Sequence, residues 1–126
     1  MMLWIDDVRP APEGYIWVKS VDEAKKAIKG FLDFQNFMLS YDLERIDNMA
    51  VRKDCAQYLL AFYKSDDILD IDYDAGEHAK EGGDYIKLLD WLEEIGEEFP
   101  IHIHSQNAVV VENMRRIIKR NGWREV

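Results

Sequence analysis

The stretch that decides the reading is "PIHIHSQN", residues 100–107. Apolar and imidazole side chains alternate through it, and residues two apart on a strand share a face. His102 and His104 therefore lie on one face, with Ile101 and Ile103 on the other. A strand buried on both sides of a parallel sheet reads Val, Ile or Leu at every position. Buried imidazoles need hydrogen-bond partners or cost on the order of 1–3 kcal/mol each. A lone strand histidine is more often a satisfied structural group than a catalyst. Two in register, followed by Ser105 and Asn107, point to a site. His104, nearer the polar strand end, is the expected general acid or base. His102, one residue pair deeper, either joins it or holds it in place.

Outward from this strand the chain alternates. "DYIKLLDWLEEIGEEF" (84–99) carries apolar residues at 85, 86, 88, 89, 92 and 95, an amphipathic helix with Gly96 near its end. "VVVENMRRIIKRNGW" (109–123) is a helix stopped by Asn121 and Gly122, and "WREV" is read as a short closing strand. Upstream, "MLWID" (2–6), "YIWVKS" (15–20) and "DILDIDYDAG" (67–76) have strand character, while "RPAPEG" and "EHAKEGG" are loops. Ser20 with Glu23 is a capping box opening the helix "VDEAKKAIKGFL". Residues 34–43 read equally as strand or helical turn. Apolar residues at 51, 55, 59, 62 and 63 predict a further helix capped by Asp47 or Asn48. The order β-β-α-(α)-β-α-β-α predicts one α/β domain over 1–126, a mainly parallel sheet with helices on both faces.

The 126 residues carry 25 acidic and 16 basic side chains, a net charge of −9. That excludes wrapping a long nucleic acid duplex, which depends on neutralising phosphates, and docking on an anionic membrane. One cysteine, Cys55, allows no internal disulfide and reads as a small packed hydrophobe. The start of the chain lacks a signal-peptide plan, and no apolar run approaches the roughly 18–20 residues of a membrane span. A cytoplasmic protein is expected.

In parallel sheets ligands sit outside the carboxyl ends of the strands. Here those ends read "IDD", "DYD" and "HIHSQN". Asp6 and Asp7 on one strand and Asp72 and Asp74 on another would converge if the strands are neighbours. Clustered carboxylates repel unless a hard cation such as Mg²⁺ or Mn²⁺ neutralises them; the alternative is an acidic loop cluster facing solvent. Arg9 follows the acid pair and could reach an anionic substrate. Arg115, Arg116, Lys119 and Arg120 are read as complements to the helix dipole.

"LWIDDVRP", "VKSVDEAKKAI", "IDYDAGE", "GGDYIKLLDWL" and "FPIHIHSQNAVVVENMRRII" together resemble the cyclic-phosphate-processing receiver-like domains. The likeness covers about 90 residues. It implies a receiver-like, flavodoxin-like three-layer sandwich, from which 33–65 departs as an inserted helical segment longer than the family's usual connection. Tyr73 stands where the family has a histidine, and no lysine matches the one that signalling receivers carry after the fifth strand, which argues against phosphoryl signalling. The implied function is a metal-dependent phosphoesterase acting on a small or terminal cyclic phosphate, such as an RNA end. Asp6, Asp7, Asp72 and Asp74 would hold the metal, His104 would move the proton, and Arg9, Ser105 and Asn107 would bind phosphate oxygens. The other reading is a non-catalytic receiver-like module that binds a partner or dimerises through the aromatic segment 33–65.

Overall fold

The protein is described by a computed structural model covering residues 1–39 and 67–126. The elements are β1 (Met2–Ile5), β2 (Ile16–Val18), α1 (Val21–Leu39), β3 (Ile68–Ile71), a 3₁₀ turn (Gly76–Lys80), α2 (Ile86–Ile95), β4 (Ile101–Ile103) and α3 (Ala108–Asn121). The strands form one sheet in the order β2-β1-β3-β4, with every pair parallel. The expected closing strand contributes a single parallel bridge, Glu125 to Ile101, beside β4.

Local chemistry sets the boundaries. Ser20 Oγ accepts from the Glu23 amide at 3.1 Å, and Glu23 Oε2 accepts from the Lys19 amide at 2.9 Å, so the expected reciprocal cap opens α1. The helix continues to Leu39, which resolves the ambiguous 34–39 as helix. The rest of the expected insertion, including the second helix, Cys55 and the suggested dimer surface, lies outside the described residues beyond position 39. Gly96 and Gly122 end α2 and α3 in the left-handed conformation that favours glycine. Two of the α3 basic residues are pinned by acids: Arg120 bonds Glu93 of α2 at 2.8 Å, and Arg115 bonds Glu125 at 2.8 Å.

The sheet has two unlike faces. Register places Leu3, Ile5, Leu69, Ile71 and Ile101 on one face, all fully buried. Ala24 and Ile28 of α1, Leu88, Leu89 and Leu92 of α2, and Met114 and Ile118 of α3 join them in one core. Among the described residues all three helices therefore pack on this face, α1 against α2 and α2 against α3. The expected helices on both faces are met here on one. The other face carries Trp17, Trp4, Asp70 and His102 in a single row across β2-β1-β3-β4. The crossover from β1 to β2 is the loop 6–15, not a helix. It lies against this face, where Trp4 Nε1 donates to Arg9 O at 2.8 Å and the Trp4 and Tyr15 rings meet edge-on. No described helix is long and apolar enough to cross a membrane.

The helical core gives a direct test. Leu89 is fully buried beneath the sheet, so Leu89→Ala is expected to lower unfolding free energy by about 2–5 kcal/mol. Gly30 lies inside α1 with open space where a Cβ would stand. Gly30→Ala is expected to raise stability by about 0.5–1 kcal/mol, because alanine loses less freedom in a helix. Denaturant unfolding of both variants measures the two shifts against wild type.

Candidate active site

The site is built where β1, β3 and β4 end, on the face opposite the helices. Asp6 follows β1 and is fully buried. Its turn wraps its own carboxylate: Oδ1 accepts from the amides of Val8 and Arg9, each at 2.8 Å. Its Oδ2 faces His104 Nε2 at 3.0 Å and Arg9 Nε at 3.2 Å. The backbone carbonyl of Asp6 accepts from Trp17 Nε1 at 2.7 Å, which ties the turn to β2.

His104 lies one residue past β4, its side chain only 9% exposed. Its Nδ1 bonds Asp70 Oδ1, so the imidazole is bracketed by carboxylates on both nitrogens. Trp4 stacks on the ring with centroids 3.9 Å apart and planes within 4°. His102 Nδ1 reaches the same Asp70 oxygen at 2.9 Å. The burial order of the two histidines is the reverse of the expectation, since the His102 side chain is 48% exposed. It stands near an edge of the described sheet, where among the described residues only the Glu125 bridge lies beyond β4.

Asp70 is the residue that sequence reasoning missed. It sits inside β3, nearly fully buried, paired in register with Trp4 on one side and His102 on the other. The signal was present in "DILDIDYD": positions 70, 72 and 74 share strand parity, so Asp70 belongs to the same face as the acids at the strand end.

Electrostatics follow from the pairing. Burial works to raise the pKa of Asp6, yet the amides of Arg9 and Val8 and the His104 ring outweigh it and hold the carboxyl below its ordinary value. Burial likewise opposes ionisation of Asp70, and His104 and His102 overcome it, lowering its pKa. For His104 burial disfavours the imidazolium, but hydrogen bonds to Asp70 and Asp6 prevail and raise the pKa. Asp72 is different. Burial and the nearby Asp6 charge push its carboxyl up despite the Tyr73 amide, Arg9 and His104. Its Oδ1 is buried without a hydrogen-bond partner, and Arg9 Nη2 at 3.5 Å is an ionic approach only.

The four sequence-predicted acids Asp6, Asp7, Asp72 and Asp74 line one groove of about 390 Å³, together with Arg9, Val8, Tyr73 and Gly76. Within it they divide. Asp6, Asp72 and His104 converge closely enough for one atom of each to reach a common ion. Asp7 and Asp74 gather instead at Gly76, whose amide donates to Asp74 Oδ1 at 2.6 Å. Gly76 has a φ of +53°, and an added Cβ would collide with Asp7 Oδ2, so glycine is required there on both counts. Arg9 sits at the groove with its side chain half exposed. Ser105 and Asn107 are used locally: Ser105 Oγ accepts from the Asn107 amide at 3.1 Å, and Asn107 Oδ1 caps α3 through the Val110 amide at 3.3 Å. Neither lines the groove.

A cation fits Asp72 and Asp6 on the evidence of the unpartnered Asp72 oxygen, since an ionised buried carboxylate needs a positive charge or a donor.

Removing His104 leaves two buried carboxylates facing each other's charge, so His104→Ala is expected to cost on the order of 3 kcal/mol of stability. His102→Ala, at a half-exposed position, is expected to cost much less. The pH dependence in chelator has two arms. The raised His104 pKa gives stabilisation that is complete below its ordinary 6.5 and is lost as pH rises through the folded value. The lowered Asp6 and Asp70 values give stabilisation present above the ordinary 3.8 and lost as pH falls through the folded values. Melting temperature should therefore decline on both sides of this window, and His104→Ala should flatten the alkaline arm.

No curated protein and no solved structure matches the chain. The profile of the family described as the cyclic-phosphate processing receiver domain matches residues 1–63 and 49–120. That match spans the parallel sheet, the acid pair after β1, the aspartates after β3 and the His-Ser-x-Asn run after β4, and the chain belongs to the cyclic-phosphate processing receiver domain family.

Proposed function

We propose that this receiver-like domain is a metal-dependent phosphoesterase that opens a cyclic phosphate on a small molecule or a nucleic acid end. The observation that carries the reading is the buried, hydrogen-bond-free Asp72 Oδ1 beside Asp6, His104 and Arg9. A carboxylate left in that state is poised for a cation, and a cation beside a guanidinium is poised for a phosphate. Asp72 and Asp6 would hold a divalent ion, Mg²⁺ or Mn²⁺, with Asp7 and Asp74 adding negative charge along the groove. When bound, the ion polarises a phosphoryl oxygen and offsets charge developing on phosphorus.

The chain's own residues supply the rest. Arg9, half exposed and beside both Asp6 and Asp72, would bind the phosphate oxygens. Ring opening forms a bond from water oxygen to phosphorus and breaks one ester bond, whose leaving alkoxide takes up a proton. His104 stores that proton as an imidazolium between Asp70 and Asp6. That proton would leave from Nε2, the nitrogen that faces Asp6 of the groove, and the attacking water's proton would restore it. Asp70 orients the ring through Nδ1, and Trp4 fixes its plane. Ser105 and Asn107 would serve by shaping the start of α3.

Mg²⁺ or Mn²⁺ is expected to raise the melting temperature of wild type by mass action, and Asp72→Asn is expected to abolish the rise. Hydrolysis of a 2′,3′-cyclic nucleotide, followed by product separation, should depend on the same ions and fall by roughly 10²-fold or more in His104→Ala. Cation binding without turnover would instead assign the domain a binding role.

A further inference from the structure

The acid groove uses one side of His104, its Nε2. On the other side of the ring three ligating atoms meet, of which the phosphoesterase reading asks only that they orient the imidazole. They are Asp70 Oδ1, His102 Nδ1 and His104 Nδ1, all within 4.8 Å of one another. Both imidazoles aim the same nitrogen at the same carboxylate oxygen. We propose that Asp70, His102 and His104 form a second metal site, one that takes a borderline divalent ion such as Zn²⁺ or Co²⁺ rather than Mg²⁺.

Four features of the fold carry this. The donor set is two imidazoles and one carboxylate, which suits Zn²⁺, Co²⁺ and Ni²⁺, whereas all-oxygen sets suit Mg²⁺ and Ca²⁺. The ligands come from rigid strand positions. His102 and Asp70 are register partners on adjacent parallel strands, and His104 follows two residues on, on the same face. The outer shell is already built. A histidine that ligates a metal through one nitrogen almost always donates its other N–H to a carboxylate or carbonyl. His104 does so, with Nε2 facing Asp6 Oδ2 at 3.0 Å. Finally, the site has a closed and an open side. Asp70 is 6% exposed while the His102 side chain is 48% exposed, so three protein ligands would leave a position reachable from solvent. That is the plan of a zinc site that keeps an open coordination position.

The two ions would be told apart by softness and by the nitrogen each could use. A hard cation on Asp6 and Asp72 has oxygen donors, and an ion on Asp70 draws its nitrogens from the Nδ1 atoms. His104 lies between them and couples the two.

The test uses the untagged wild-type chain with the metal alone. Co²⁺ is expected to bind with the intense visible bands of a low-coordinate site containing nitrogen, and Zn²⁺ is expected to displace it. His102→Ala, whose half-exposed position leaves the fold intact by circular dichroism, is expected to lose those bands. Its affinity should fall by more than the roughly 10–100-fold typical of an outer-shell change. Asp72→Asn should keep them, although it loses the response to Mg²⁺ or Mn²⁺. The inference is overturned if wild type binds neither ion. It is overturned equally if Co²⁺ shows only the weak bands of an all-oxygen site, or if His102→Ala binds Zn²⁺ as tightly as wild type. Loss of Co²⁺ binding in Asp72→Asn would place the ion in the acid groove and also overturn it. The Mg²⁺ or Mn²⁺ response of the His102→Ala chain reports on the groove independently.

Discussion

One buried imidazole between two carboxylates sets the terms for the rest of this structure. Asp6, Asp70 and His104 come from three different strand segments, β1, β3 and β4, and none can be buried alone without a large desolvation cost. Together they hold the three parallel strands in register at their polar end. The charge count within the cluster explains its asymmetry. Asp6, Asp70 and Asp72 carry three negative charges, and an imidazolium at His104 with Arg9 supplies two positive ones, which leaves a deficit of one. That deficit falls on Asp72, the acid with an unpartnered buried oxygen and an upward-shifted carboxyl. The same arrangement therefore stabilises the fold and defines where a further cation is wanted.

The position of the cluster follows from how the chain travels between β1 and β2. A parallel connection of this kind ordinarily uses a helix to cross over. Here the ten residues 6–15 make the crossing as a loop, and the described helices all lie on the opposite face. The consequence is that polar side chains occupy a sheet face and not only the strand tips. Trp17, Trp4, Asp70 and His102 form the inner row, and Asp6, Asp72 and His104 follow at the edge. Ligand sites in open parallel sheets usually stand outside the carboxyl ends of the strands. This one extends a residue pair down the sheet, which is why two distinct donor sets can share a single histidine.

Much of this was legible in the sequence, and the limits have physical reasons. Strand parity put His102 and His104 on one face correctly, because the two-residue period is a backbone property. The acids at residues 6, 7, 72 and 74 were read as one cluster, and they line one groove. Their inequality could not be read, because it depends on a left-handed turn at Gly76 that draws Asp7 and Asp74 aside. Asp70 escaped notice because an aspartate flanked by Leu69 and Ile71 looks like an interruption of a core strand until its neighbours are known. The burial order of the histidines was inverted because depth along a strand was taken for depth in the molecule. Among the described residues β4 is the last regular strand on its side, and the residue farther from the tip is the more exposed. Ser105 and Asn107 matched a motif, yet the start of α3 claims both for its own amides.

Two aromatic side chains set how firmly this site is held. Trp4 stacks on His104 and binds the Arg9 carbonyl, while Trp17 binds the Asp6 carbonyl. Two indoles thus fix the turn 6–9 and the imidazole from the sheet side. Groups held this firmly keep their geometry as charge changes, the condition under which fixed dipoles and charges are most effective in catalysis. The Arg9 side chain is half exposed and spans Asp6 and Asp72 at 3.2 and 3.5 Å. Arg9 thus stands as a counter-charge to both carboxylates. On the proposed reading, a divalent ion held by Asp72 would release this guanidinium for phosphate, so cation and substrate binding would be coupled through one side chain.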